Sequence, residues 1–125
     1  LGMGRMVSKK KDSVGSILSE REGLNTQDAL KLVGFMPVNT DDPVPAGAHL
    51  MSSGSPVDAK HDQGYITSAC FSPNLNCHIG LGFLKAGDTR IGEVVRLVSP
   101  LTGQDHKVEV VSAHFVDPDG ERLRA

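Results

Sequence analysis

The sequence predicts a mainly β fold, an antiparallel barrel or sandwich of about six short strands that follows one short helix. Apolar runs with strand-type alternation recur from residue 30 onward, and turns containing Gly or Pro separate them. No helical pattern alternates with these runs, which excludes a sheet built from parallel strand-helix-strand units. Residues 1–11 indicate a lead-in from a preceding domain, and residues 12–125 are long enough to bury one core.

The helix is predicted from the segment DSVGSILSER, which begins at residue 12. Its apolar side chains recur at helical spacing, at Val14, Ile17 and Leu18. Asp12 or Ser13 is a suitable N-cap residue, and the helix is predicted to end at Gly23. The following segment EGLNTQDA has no sustained apolar period, so we expect a connector there.

The remaining elements are predicted strands, joined by turns rich in Asp, Asn, Gly and Pro. They are LKLVGFMPV (30–38), AHLM (48–51), GYITSACF (64–71), CHIGLGFL (77–84), EVVRLVSP (93–100) and HKVEVVSAHF (106–115). The third and fourth pair around SPNLN and present a surface, and the last two pair around SPLTGQD, with Gly103 in the turn. Gly80 and Gly82 predict a bulge or the close approach of another backbone segment.

The third strand contains a pattern that assigns its side chains to two faces. One face takes Tyr65, Thr67, Ala69 and Phe71, and the other takes Ile66, Ser68 and Cys70. The chain then ends in VDPDGERLRA, in which a turn precedes a last short run. If that run is extended, Arg122 and Arg124 place both guanidinium groups on one side, where they suit a carboxylate.

Composition excludes several classes of function. The formal net charge is -2, and no basic stripe with interleaved aromatics is present, so we expect no nucleic-acid partner. No apolar run reaches the roughly 20 residues that cross a bilayer, and no secretory signal follows the basic N-terminal residues, so we expect no membrane partner and a cytoplasmic location. The lysine run SKKK (8–11) suits either solvent or a carboxylate-rich partner.

Self-contained chemistry is not expected from these residues. None of the five histidines pairs with another His or Cys at a spacing that builds a metal site. In a reducing compartment, Cys70 and Cys77 are expected to be free, buried and unreactive. The sequence has no strained Ser elbow between strand and helix, and GLGFLKAG opens no helix that would hold a phosphate. We therefore predict no catalytic residue and no metal.

Three stretches resemble a known family, in order and at consistent spacing. MVSKKKDSVGSILS (6–19) resembles the segment that introduces the C-terminal domain in alpha subunits of heterotetrameric sarcosine oxidases. GYITSACFSPNLNCHIGLGFLKAG (64–87) resembles a stretch of folate enzymes like the glycine-cleavage T-protein, or aminomethyltransferase. FVDPDGERLRA (115–125) resembles the end of the same alpha subunits. The resemblance spans nearly the whole chain.

This resemblance implies a small antiparallel β-barrel that closes a three-lobed, tetrahydrofolate-binding half of the subunit. The full enzyme would couple oxidative demethylation of sarcosine to formation of methylenetetrahydrofolate, and FAD, FMN, NAD and zinc would belong to other parts of the complex. The preceding folate-binding domain and the other subunits would be partners. By the same resemblance, Thr67, Ser68, Arg122 and Arg124 are candidates for contact with tetrahydrofolate. For the two arginines, the partner is either a folate carboxylate or a neighbouring lobe. Alternatives are the equivalent lobe of a dimethylglycine dehydrogenase or an aminomethyltransferase, and a stand-alone barrel that mediates interactions.

Overall fold

The computed structural model is a closed six-stranded antiparallel barrel with a few short helices. It describes residues 3–125, apart from the side chain of Arg5. The strands are β1 (Leu30–Pro37), β2 (His49–Met51), β3 (Asp62–Ser72), β4 (Cys77–Lys85), β5 (Val94–Ser99) and β6 (Gln104–Val111). The helices are α1 (Val14–Ser19) and α2 (Glu121–Arg124), with 3-10 turns at Gly4–Met6, Glu22–Leu24 and Gly87–Thr89. The predicted mainly β fold and its strand number are confirmed.

The strand order around the barrel is β1, β4, β3, β2, β5 and β6, and β6 pairs with β1 to close it. The β3–β4 hairpin turns at residues 73–76, and the β5–β6 hairpin turns where Gly103 adopts a φ of +67°. Closure removes the exposed strand edges that an open sheet would present. Closure also shows that the fold is a barrel, whereas the strand pattern alone was compatible with a barrel or a sandwich.

The core fills the inside of the barrel with aliphatic side chains around one phenylalanine. Its buried members are Val33, Phe35, Val44, Ala48, Leu50, Ile66, Leu84, Val95, Leu97, Val108 and Val110. Every strand of the barrel contributes to this cluster. Because the core is complete without the segment before β1, we expect the barrel to fold on its own.

The N-terminal segment forms the predicted helix, but the helix is short and does not pack. Ser13 is its N-cap: the Ser13 hydroxyl accepts from the Ser16 amide at 3.2 Å, and the Ser16 hydroxyl accepts from the Ser13 amide. This reciprocal capping box matches the expected start. The helix ends at Ser19, earlier than the predicted stop at Gly23, which lies in the next 3-10 turn. No residue of α1 is buried.

A β-bulge in β3 overturns the simple two-face pattern predicted for that strand. Ile66 pairs with Gly82 and Ser68 pairs with Leu81, so Thr67 is the extra residue. Ile66 is buried in the core, and beyond the bulge Ala69 packs against that core. The inward side therefore changes from even to odd positions, because the unpaired residue shifts the pleat by one. Thr67 and Ser68 are both exposed.

The C-terminal part differs from the prediction in two ways. First, β6 ends at Val111, and Phe115 leaves the sheet to pack over Gly34 of β1, where a Cβ atom would stand 2.7 Å from the Phe115 ring. Second, the segment with Arg122 and Arg124 is the helical turn α2. Residues two apart in a helix lie on nearly opposite sides, so the side-by-side arrangement expected from an extended run was wrong.

Candidate functional site

The outer surface of the barrel is apolar on one side and charged on the other. Outward positions of β1, β4 and β3 carry Leu30, Leu32, Tyr65, Cys70, Ile79, Leu81 and Phe83. We call this set the apolar face. Tyr65 and Phe83 lie in contact on it, with ring centroids 6.0 Å apart. Outward positions of β5 and β6 instead carry mostly charged residues: Arg96, Asp105, Lys107 and Glu109.

Two depressions lie beside the apolar face, and Phe115 lines both of them. The first holds about 210 Å³ and is lined by Ser68, Ala69, Cys70, Ile79, Gly80 and Leu81 in addition to Phe115. The second holds about 310 Å³ and adds Asn74, Leu75, Val116, Asp117 and Arg122. We call the two together the Phe115 groove. Its first part is almost wholly apolar, and its second part mixes polar and apolar groups.

The structure brings two of the four predicted ligand residues to this groove. Ser68 lines its apolar part and Arg122 lines its polar part. Thr67 is next to Ser68, but its hydroxyl donates to the Leu81 carbonyl at 3.0 Å and so holds the bulge in place. Arg124 lines a different depression, where its guanidinium donates to the carbonyl oxygens of Asp119 and Gly120.

Arg122 is positioned by the turn that precedes it. Asp117 has a left-handed φ of +50°, and its carboxylate accepts from the backbone amides of Glu121 at 2.8 Å and Arg122 at 3.1 Å. These two bonds satisfy amides that would otherwise have no partner at the start of α2. In the sequence, the run Asp-Pro-Asp-Gly predicts a turn at this position, and this turn was the only local indication of the cap.

Charged pairs elsewhere on the barrel anchor loops. The Arg96 guanidinium donates to Asp105 at 2.7 Å and to the Ser55 carbonyl at 2.9 Å, which ties the long β2–β3 loop to β5 and β6. The hydrogen bonds from Arg96 lower the pKa of Asp105. In the same loop, the His61 ring hydrogen bonds to Asp58 at 2.6 Å and lowers the pKa of that carboxyl. Both pairs therefore stabilise the β2–β3 loop.

No cluster of three or more His, Cys, Asp or Glu side chains that could hold a metal ion occurs within residues 3–125. In the same part of the chain, no helix is long and apolar enough to cross a membrane.

The two cysteines differ in exposure, which corrects the expectation that both are buried. Cys77 is 1% exposed, whereas Cys70 is exposed on the wall of the Phe115 groove. The bulge at Thr67 is the reason, because it moves Cys70 from the inward to the outward side of β3. Both thiols are free.

We expect one thiol of the native chain to react with Ellman's reagent and the second to react only after unfolding in guanidinium chloride. Native Cys70 is accessible to the reagent, whereas Cys77 is shielded by the barrel. The measurement is the stoichiometry of released thionitrobenzoate. Cys70→Ser should remove the native reaction, and Cys77→Ser should leave it unchanged. Rapid reaction of two thiols in the native chain would contradict the structure.

Comparison with known proteins now assigns the fold to a family. The model of the glycine cleavage T-protein C-terminal barrel domain matches residues 31–117, which include β2 to β6 and all of β1 except Leu30. The chain belongs to this family. A crystal structure of the glycine cleavage system aminomethyltransferase T from Bartonella henselae shares the fold of the barrel domain, with a TM-score of 0.54 and 24% identity. That likeness covers 71% of this chain and 22% of the other.

The likeness of this chain to curated proteins extends beyond the barrel. Sarcosine oxidase subunit alpha of Rhizobium meliloti (strain 1021) is 36% identical over 124 residues, which cover 98% of this chain and 13% of that subunit. The same subunit of Corynebacterium sp. (strain P-1) is 37% identical, with 97% and 12% covered. The chain thus spans 12 to 13% of the length of these relatives. The resemblance stated from sequence motifs is confirmed.

Sequence reasoning missed the residue around which the groove is built. Phe115 was expected at the end of the last strand, and its packing over Gly34 depends on a contact between residues far apart in the chain. Asn74 and Leu75 were expected only as turn residues of the β3–β4 hairpin. The signals present were a glycine in the middle of β1 and an aromatic residue before the Asp-Pro turn.

Proposed function

We propose that this chain is the closing lobe of the tetrahydrofolate-binding half of a sarcosine oxidase alpha subunit. The observation that carries the proposal is the 36 to 37% identity to such subunits over 97 to 98% of the chain. In that setting, the subunit takes part in oxidative demethylation of sarcosine in the cytoplasm, and the one-carbon unit is captured as methylenetetrahydrofolate. FAD, FMN and NAD are held by other parts of the complex.

The first role proposed for the lobe is packing. The apolar face exposes side chains that a free-standing barrel would keep from water, including Leu30 at 47% and Tyr65 at 42% exposure. Contact with the preceding folate-binding domain of the same subunit would cover them. This exposure favours a lobe of a larger protein over a stand-alone barrel that mediates interactions. By excluding water, such a lobe protects a reactive imine from hydrolysis.

The second role proposed is contact with the folate itself, at the Phe115 groove. Folate combines a flat ring system with a carboxylate tail, and the groove combines an apolar bed with a guanidinium. Ser68 offers a hydroxyl at the apolar part, and Arg122 offers a fork of donors suited to a carboxylate at the polar part. Thr67 and Arg124 are the weaker candidates, because the Thr67 hydroxyl donates to the Leu81 carbonyl and the Arg124 guanidinium donates to the carbonyl oxygens of Asp119 and Gly120. We therefore propose Ser68 and Arg122 as the folate contacts.

Catalysis is assigned to other parts of the subunit. Among the described residues, the groove contains one free thiol and one carboxylate, and the carboxylate of Asp117 is occupied as a cap for α2. A general base must reach the proton that it removes, and Asp117 is turned to backbone amides instead. The groove thus supports binding and positioning.

The test is an amide-resolved NMR titration of the 125-residue chain with folinic acid, a stable reduced folate. We expect shifts at residues 65–75, 115–117 and 120–124, and slower labelling of Cys70 when the groove is filled. Arg122→Ala should weaken the apparent affinity about tenfold, as expected for one charge-assisted contact. Arg124→Ala is the matched control, because its guanidinium lies in another depression, and it should change affinity little.

Two other outcomes of the titration would change the proposed contacts. An equal loss with Arg124→Ala would assign the carboxylate to both arginines. If millimolar folinic acid shifted no amide and did not protect Cys70, the ligand contact would be wrong, and Ser68 and Arg122 would be assigned to packing against the preceding domain.

A further inference from the structure

The turn before α2 contains the pair Asp119 and Gly120, and Asp119 is the one aspartate of the sequence that a glycine follows. It lies outside the helices and strands and is exposed to solvent. Within residues 3–125, its carboxylate takes part in no hydrogen bond and no ion pair. The carboxylate of Asp117, by contrast, is held as the cap of α2. The Asp119 carboxylate is therefore free to move toward the backbone nitrogen of Gly120.

Gly120 leaves room for this approach. Its φ is +68°, and a Cβ atom at this position would meet nothing closer than the Nη2 atom of Arg124, at 3.7 Å. Because glycine has no side chain, the carboxyl carbon of Asp119 can reach the Gly120 nitrogen without a collision. The Gly120 amide donates to the Asp117 carbonyl at 3.0 Å, and this bond must open first. It lies in a turn at the surface, where local opening needs little free energy.

The Arg124 guanidinium contacts the same peptide group. Its Nη2 atom donates to the carbonyl oxygen of Asp119, and its Nε atom donates to the carbonyl oxygen of Gly120 at 3.1 Å. When the Gly120 nitrogen loses its proton, negative charge spreads onto the Asp119 carbonyl oxygen, because resonance joins the two atoms in one peptide group. A cation that already lies on this oxygen stabilises the charge as it develops. The guanidinium therefore favours attack by the Gly120 nitrogen.

We propose that Asp119–Gly120 is a site of spontaneous covalent modification, at which Asp119 becomes isoaspartate with assistance from Arg124. The Gly120 nitrogen attacks the side-chain carboxyl carbon of Asp119. A nitrogen–carbon bond forms, a carbon–oxygen bond of the carboxyl breaks, and the oxygen leaves as water with the amide proton. A water molecule then opens the cyclic imide: attack at the backbone carbonyl gives isoaspartate, and attack at the side-chain carbonyl restores aspartate. One water leaves and one enters, so the mass of the chain is unchanged.

The modification is expected to disrupt the turn that positions Arg122. Isoaspartate continues the main chain through its side chain and so adds one methylene carbon between residues 119 and 120. Asp117 accepts from the amides of residues 120, 121 and 122 at 3.0, 2.8 and 3.1 Å. A main chain that is longer by one atom cannot keep all three distances, so α2 loses its cap and Arg122 leaves the Phe115 groove. Only the effect of this loss on folate contact rests on the proposed function.

Peptide mapping of the aged chain tests the modification. The 125-residue chain is kept for several weeks at neutral pH, and isoaspartate is located by electron-transfer fragmentation of its peptides. We expect isoaspartate to form faster at residue 119 than at Asp12, an exposed aspartate that a serine follows. Asp119→Glu is the matched variant, because it keeps the charge but would have to close a larger ring, and it should stay unmodified. Equal amounts of isoaspartate at residues 12 and 119 would overturn the proposal.

Arg124→Gln tests the assistance from the guanidinium. In the native chain it should slow formation of isoaspartate about fivefold, less than the loss of a buried oxyanion donor because the site is exposed. Arg122→Gln is the control for charge, since Arg122 does not donate to the Asp119 carbonyl in the described part of the chain, and it should leave the rate unchanged. In urea, where the turn is lost, Arg124→Gln should react as fast as the original chain. Equal rates in the native chains would overturn the role of Arg124.

Folinic acid separates this proposal from the folate contact. The isoaspartate form is isolated by chromatography, and its amides at residues 120–124 should move from their original NMR positions, whereas those of β6 should not. In a chain that binds folinic acid, this form should lose affinity about tenfold, as Arg122→Ala does. Unmoved amides at residues 120–124 would overturn the predicted effect on α2. If isoaspartate forms at residue 119 but neither form binds folinic acid, the folate contact is wrong and the modification site stands.

Discussion

Replacing Phe35 with alanine is expected to lower the free energy of unfolding by about 3–5 kcal/mol. Phe35 is 0% exposed and is the only aromatic member of the buried core within the described residues. Removing its ring leaves a cavity that the barrel cannot close, because the six strands are hydrogen bonded into a ring and cannot move inward independently. Domains of this size are stable by about 5–15 kcal/mol in total, so the loss is a large share.

Urea unfolding followed by far-UV circular dichroism measures the effect, since the chain has no tryptophan. Phe71→Ala is the control, because Phe71 is 51% exposed and its one aromatic contact within the described residues is a T-shaped contact with the His78 ring. It should cost less than about 1 kcal/mol. If Phe35→Ala does not fold, Phe35→Leu gives a measurable midpoint. Equal losses for Phe35→Ala and Phe71→Ala would contradict the assignment of the core.

Gly82→Ala is expected to cost about 3 kcal/mol although it adds a single methyl group. A Cβ atom at residue 82 would stand 2.4 Å from the Tyr65 carbonyl oxygen, 3.0 Å from the Ile66 Cα atom and 3.1 Å from the Phe35 ring. Two of these contacts are backbone atoms of the neighbouring strand β3, which cannot move without breaking ladder hydrogen bonds. The close approach predicted for this glycine from the sequence is confirmed.

Two other glycines give a graded comparison by thermal unfolding. At Gly80 the nearest obstacle is the Val44 side chain at 2.8 Å, which can move, so Gly80→Ala should cost less than Gly82→Ala. Gly23 has nothing within 4 Å and no left-handed φ, so Gly23→Ala should leave the midpoint unchanged. An unchanged midpoint for Gly82→Ala would mean that β3 and β4 are further apart than described.

The candidate site was only partly predictable from the sequence. Ser68 and Arg122 were named from the resemblance, and the structure places them in two depressions that share Phe115. The groove itself depends on Phe115, which reaches Gly34 across about eighty positions of chain. No pattern within a few neighbouring residues predicts a contact between residues so far apart in the chain. The position of Arg124 was also not predictable from the sequence. Its side chain direction is set by a helical turn that Asp117 caps, whereas the sequence was compatible with an extended run.

The sequence by itself determined the six strands, the turns between them and the cap of α1, since alternation, Gly and Pro positions and an N-terminal serine act within a few residues. Tertiary structure alone decided that the sheet closes, that the bulge at Thr67 turns Cys70 outward, and that one outer side of the barrel is apolar. The physical reason is register. A local pattern states which residues alternate, but only pairing with a distant strand decides which of the two faces points inward.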